Sequence, residues 1–217
     1  MGEASIDTAS AELIISATII IYGDAASEAL ALQMAHDIES IWNEPRATVK
    51  IQHQPYLLRF KMNGIFKPNL IPEEVWYNDN PQLNFFRIEE YSERDISFVD
   101  GLGCNTGYFK LANLLQTSTT SAHEFGHTIG LDHPDNLDIR GKGTPGLMYP
   151  RGTLCDPQFQ YDPSVVAGAK GGTLDPQWRK VLQSEVEDLK LGRLSFKEGK
   201  AVVGEFSSIY HFKHEQR

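Results

Sequence analysis

Residues 123–133 read His123-Glu124-Phe125-Gly126-His127-Thr128-Ile129-Gly130-Leu131-Asp132-His133, and the reading of this stretch decides the rest. On a helix, positions i and i+4 share a face with about 6 Å of rise between them, so the imidazoles of His123 and His127 can converge on one point. Glu124 stands beside the first of them, on the same side. Gly130 has no Cβ, so the helix can end there at positive φ and the chain can turn sharply enough to bring in His133. Three neutral nitrogens then leave one coordination position open. This is the donor set of a hydrolytic zinc site, where water takes the fourth position and a nearby carboxylate accepts its proton. Hard cations prefer oxygen ligands. A non-haem iron site of two histidines and a carboxylate would need Glu124 as a ligand, and its place next to His123 suits a base instead. Five fixed positions at this spacing arise by chance in about one chain in 15,000 of this length, so the pattern is read as a site.

Upstream, the chain supplies a scaffold for such a helix. Residues 13–22 (LIISATIIIY) are apolar and rich in β-branched side chains, which fits a buried strand. Asp24 can cap a helix running to about Trp42, because Leu30, Met34, Ile38, Ile41 and Trp42 fall at helical spacing. Pro45 closes it, and residues 47–53 and 56–61 follow as strand material. Residues 84–91 (NFFRIEEY) and 96–99 (ISFV) are two short strands around a polar turn at Ser92 to Asp95. The histidine helix is expected from about Thr117, capped by Ser118, Thr119 or Thr120 and stopped by Gly130.

Downstream, residues 131–172 are rich in Gly, Pro and Asp with little periodicity, and irregular structure held by side-chain contacts is expected. Asp175 and Pro176 open a last helix whose apolar residues Trp178, Val181, Leu182, Val186 and Leu189 form one inward stripe to about Leu191. Residues 200–212 are compatible with a terminal hairpin or an extended tail. No repeat or low-complexity tract interrupts the chain, and the first ten residues are the stretch that reads as a tail.

The 217 residues and 41% hydrophobic content suffice for one domain with a sizeable core. A formal charge of -9 sets the surface against nucleic-acid phosphates and anionic membranes as partners. The longest apolar run is about half of the roughly 20 residues that span a bilayer, so no transmembrane segment is expected. MGEASIDTAS has neither a basic n-region nor an apolar h-region, and Ile6 stands where a myristoylation motif wants Ser or Thr. Cys104 and Cys155 lack C-x-x-C spacing, and the sequence is compatible with two buried thiols or with one disulfide. His36, His53, His211 and His214 show no spacing that marks a site, and Lys110 and Arg140 read as solvated charges.

The pattern H-E-x-x-H-x-x-G-x-x-H resembles the zinc motif of the metzincin peptidases, in which a methionine in a tight turn lies beneath the metal. Within Gly146-Leu147-Met148-Tyr149-Pro150, Met148 follows His133 by fifteen residues and takes that part in the resemblance. Leu-Met-Tyr-Pro is similar to the matrixin version, and Pro134 after the third histidine is similar to the serralysins. Astacins and serralysins carry a further tyrosine two residues beyond the methionine; here that position is Pro150, so Tyr149 is read as wall or packing and not as a ligand. Asp100-Gly101-Leu102-Gly103 faintly resembles the calcium loops of matrixins, which makes calcium a second ion to look for. The resemblance is specific over residues 117–150. It implies an α+β fold in which a mixed twisted sheet carries a backing helix and the zinc-site helix, followed by a small irregular C-terminal subdomain ending in a helix. Residues 11–133 and 134–217 would be the two parts of one catalytic domain.

For activity, the resemblance implies a zinc-dependent endopeptidase with His123, His127 and His133 on the ion and Glu124 as general base. A peptide or protein substrate would lie extended along an edge strand, for which Asn105 to Leu111 are the candidates. Tyr149, Pro150 and Arg151 would wall the pocket beyond the cleaved bond. Two other classes share the motif: a zinc hydrolase of a non-peptide amide, and a silent binding module, against which the intact Glu124 speaks. The resemblance also suggests secretion, although no signal peptide is present in the chain.

Overall fold

The apolar run near the start of the sequence becomes the centre of a sheet. β2 (Glu12–Tyr22) lies parallel to β4 (Gln54–Phe66) on one side and to β5 (Leu83–Glu89) on the other. β1 (Gly2–Asp7) pairs antiparallel with the first half of β2, Glu3 opposite Ser16 and Asp7 opposite Glu12. β3 (Thr48–Ile51) adds to β4, and β5 continues into β7 (Thr106–Lys110) and then β6 (Phe98–Val99). β8 (Lys200–Val203) pairs antiparallel with β1 and completes an eight-stranded mixed sheet. This computed structural model describes residues 1–115 and 118–215, so the expected helix start at Thr117 lies outside the described residues. The fold is α+β, and among the described residues no helix is long and apolar enough to cross a membrane.

Helix α1 (Glu28–Asn43) buries Leu30, Met34, Ile38 and Trp42, the stripe expected from spacing. It is capped by Ser27, whose Oγ accepts the Leu30 N–H at 3.2 Å, and not by Asp24, whose carboxylate is held by Lys213. The helix lies so close to β4 that a Cβ on Gly64 would strike the backbone of Ala31. At its far end the Trp42 indole N–H donates to the Ala122 carbonyl at 3.1 Å, across to helix α3 (Thr120–Thr128). The Phe60 ring lies against both Trp42 and Phe125, at 5.1 and 6.2 Å between centroids. The histidine helix is thereby fixed to the sheet through aromatic packing. A short helix α2 (Pro72–Trp76), not anticipated from spacing, follows β4.

Three further expectations need correction. The first ten residues are not a tail, because β1 is held between β2 and β8. Asn105 to Leu111 do not form the sheet edge: β7 lies between β5 and β6, and the two-residue β6 is the edge strand. The last helix breaks into a 3-10 turn (Pro176–Trp178), an extended run, and the short helix α4 (Gln183–Asp188). The cause is tertiary: the Lys180 N–H donates to the Pro145 carbonyl at 3.0 Å, which pulls the middle of the segment out of helical conformation. Of the two readings left open for residues 200–212, the hairpin is not formed: β8 pairs with β1, and the described chain then runs on without regular structure.

Candidate metal centre

All residues of α3 except His127 are buried. Thr119 stands at the N-cap position without a side-chain cap and donates its hydroxyl to the Pro176 carbonyl at 2.7 Å, while Ser118 Oγ, one residue earlier, accepts the Thr120 N–H at 3.2 Å. At the other end Gly130 takes φ +99°, and the Leu131 N–H returns to the Gly126 carbonyl at 3.0 Å. The His127 carbonyl accepts the Gly103 N–H at 2.7 Å, and the Gly103 carbonyl in turn accepts the Glu205 N–H at 2.8 Å.

The turn at Gly130 carries His133 back to the helix. Its Nε2 lies 3.0 Å from Nε2 of His123 and 3.1 Å from Nε2 of His127. Nδ1 of His123 faces the Leu147 carbonyl at 2.8 Å, and Nδ1 of His127 faces the Leu131 carbonyl at 2.7 Å. A carbonyl can only accept, so each Nδ1 carries the proton and each Nε2 turns a lone pair toward the common point. Bare lone pairs at such separations repel unless a cation stands among them. The donor set therefore fits a metal, and among the described residues these three form the group of ligating side chains close enough to share an ion. Three imidazoles are a set that zinc accepts.

Burial pushes the His123 imidazole well below its ordinary pKa, helped by the charge of Arg179, and lowers His127 and His133 as well. All three are thus kept neutral, as ligation requires. Exposure rises from buried His123 through half-buried His127 to exposed His133, so the group opens to solvent on one side. Glu124 is buried at 7% exposure; burial pushes its carboxyl up to about 8, against the opposing charges of Arg179 and Arg151.

Met148, 1% exposed, packs against α3 where Gly126 leaves room for it. The segment carrying it is held by Glu185 of α4, whose carboxylate accepts the N–H groups of Leu147 at 3.1 Å, Met148 at 2.7 Å and Leu182 at 2.9 Å. Neither Glu185 nor Arg179 was legible in the sequence as part of this site. Read as one continuous helix, the segment faces Trp178 inward and leaves Arg179 off the stripe. In the structure Trp178 ends a 3-10 turn and is 44% exposed, and the extended residue Arg179 that follows is 6% exposed.

The other candidates scatter. Tyr149 packs against Ile139, Cys155 and Leu174, and the Pro150 carbonyl accepts the Thr153 N–H. Arg151 is exposed and lines a neighbouring cavity. The calcium expectation finds no support: the Asp100 carboxylate accepts from the Thr106 hydroxyl and faces His211 Nε2 at 2.9 Å, and among the described residues it belongs to no group of three ligating side chains. Cys104 and Cys155 are both free thiols. His214 stacks on Tyr108, and its Nδ1 accepts the Glu93 N–H.

Fold and side chains together define an α+β protein whose short buried helix and following turn present three histidines able to hold a metal. No protein-family model matches the chain, and no curated protein matches it. Among solved structures it is similar to archaemetzincin (amzA) from Methanopyrus kandleri, with 12% identity, a TM-score of 0.36, and coverage of 82% of this chain and 95% of that one. A likeness at that level does not carry an activity from one chain to the other.

Proposed function

We propose that this protein is a zinc-dependent endopeptidase of the metzincin kind. The observation that carries the reading is the meeting of three Nε2 lone pairs, oriented by carbonyls behind two of the rings, beside a buried carboxylate. His123, His127 and His133 hold the ion. When bound, zinc supplies a Lewis acid for the scissile carbonyl and makes water acidic enough to attack at neutral pH. In its ionised form, which the charge of a bound cation would favour against burial, Glu124 takes the proton of that water and hands it to the leaving nitrogen. Met148 supports the ligand helix by packing, in the part of the metzincin methionine, and an extended substrate adds to the edge of the sheet at β6. Residues 11–133 carry most of the sheet and the ligand helix, β1 and β8 complete the sheet from outside that range, and the segment around Met148 to Arg151 forms the opposite side of the cleft.

The test is digestion of casein by zinc-loaded protein, with and without chelator, beside a Glu124→Gln variant. The reading expects cleavage that chelator abolishes, and a variant that retains zinc but turns over at least ~10²-fold more slowly. Chelator-sensitive hydrolysis of small amides without any cleavage of casein would replace the endopeptidase with a non-peptide amidase.

A further inference from the structure

A guanidinium is charged at any pH a protein meets and carries five N–H donors. Arg179 is nonetheless 6% exposed, and among the described residues its Nε has no hydrogen-bond partner and it takes part in no ion pair. A buried donor left unmade costs free energy, so this arrangement favours an incoming acceptor. The charges acting on Arg179 most strongly are a second cation, Arg151, and then Glu124. Burial and Arg151 together bring its pKa down to about 10.

Arg151 joins this cationic pair to an opening. It lines a cavity of about 420 Å³ together with Ser118, Tyr161, Asp175 and Gln177. Pro176 also lines it; the Pro176 carbonyl accepts the Thr119 hydroxyl at 2.7 Å and the Arg179 N–H at 3.2 Å, so the cavity opens at the start of the helix that carries Glu124, with the Arg179 backbone tied to its wall. The one acidic side chain in that lining, Asp175, is occupied by Gln177, accepting from its backbone N–H at 3.2 Å and its side-chain amide at 2.7 Å. Two arginines that form no ion pair among the described residues, one of them desolvated, are suited to bidentate capture of a carboxylate.

We infer that Arg179 and Arg151 form a recognition site for a substrate carboxylate lying next to the bond to be cut. The inference rests on the peptidase reading above. Two sources offer the same chemistry, an Asp or Glu side chain and the free end of a peptide.

The experiment uses fluorescent peptides in which Glu or Gln occupies each position flanking the cleaved bond, each made with a free and an amidated C-terminus. Binding is measured on the zinc-loaded Glu124→Gln protein, and cleavage on the unaltered one. At one position Glu is expected to bind at least ~10-fold more tightly than Gln. Arg179→Met and Arg151→Gln should each bring that ratio close to one with zinc content unchanged. A gain from the free C-terminus in place of the side chain supports the same pair and names its source. Equal handling of Glu and Gln peptides, and of free and amidated ends, overturns the inference while leaving the peptidase reading intact. So does a preference that survives both substitutions. Should Arg179→Met not fold, Arg151→Gln at its exposed position decides alone. If no peptide is bound or cut, the peptidase reading falls and the inference with it.

Discussion

The Met148 thioether occupies the space that a side chain on Gly126 would need: a Cβ built there would overlap Sδ, and Trp42 Cζ2 stands 3.3 Å from the same point. Alanine in place of a helical glycine ordinarily gains up to ~1 kcal/mol. Here the thioether is enclosed, and overpacking of this kind costs about 1–3 kcal/mol. Gly126→Ala is expected to be a net loss in urea unfolding of the zinc-loaded protein. Met148→Leu, which keeps most of the volume, should cost less than about 1.5 kcal/mol and leave zinc bound. Removing the obstruction in Gly126→Ala/Met148→Ala should return at least ~0.5 kcal/mol relative to the sum of the single changes. Strict additivity would mean that the two residues do not press on one another.

Glu185 supports the same segment from the opposite side. Its loss in Glu185→Ala strands the buried N–H groups of Leu147, Met148 and Leu182, with an expected cost of about 3 kcal/mol or more. Because the Leu147 carbonyl orients His123, zinc affinity should fall by about 10- to 100-fold. Chelator competition measures this directly. A variant with unchanged affinity would disconnect the carboxylate from the ligands.

Metal content tests the histidines themselves. Protein purified in the presence of zinc is expected to carry one ion per chain by elemental analysis, and His127→Ala to lose it. Equal zinc in the variant would mean that the ion sits elsewhere.

The two thiols should differ from a disulfide in every assay. Burial pushes Cys155 up to about 11 and also raises Cys104, so both are expected to react slowly with an aromatic disulfide reagent in the native state and readily after unfolding. Reductant should leave the melting temperature unchanged. A reductant-sensitive melt would show that the two cysteines pair.

Calcium should have no effect. With the Asp100 carboxylate engaged by Thr106 and His211, millimolar calcium is expected to leave the thermal melt unchanged. A rise in melting temperature on adding calcium would reopen the loop at Asp100 as a site.

The parts legible in the sequence are those that depend on local geometry. The approach of His123 to His127 follows from the helical repeat, and the return of His133 from a glycine free to adopt positive φ. β2 was legible because an unbroken apolar run has few other uses. What escaped depends on residues distant in the chain. Nothing around Gly2 to Asp7 announces a strand, since its partners are residues 12–16 and 200–203. Arg179 points inward because Lys180 pairs with residue 145, a contact that no periodicity encodes. Asn105 to Leu111 have the composition of a strand, but composition does not tell an edge strand from one with neighbours on both sides. Asp24 and Ser27 are both good capping residues, and the choice between them fell to Lys213, near the far end of the chain.

The link from Glu205 through Gly103 to the His127 carbonyl gives the site a place in time. A ribosome extends the chain from one end, and the ligand helix emerges well before the residues that brace its last turn. Until the segment around residue 205 has been made, Gly103 lacks one of its two neighbours and β1 has a partner on one side only. Contacts so far apart in sequence form late and slowly. The histidines are therefore translated early but completed late, and an ion arriving during synthesis would meet a loose set of ligands where the finished protein offers a rigid one.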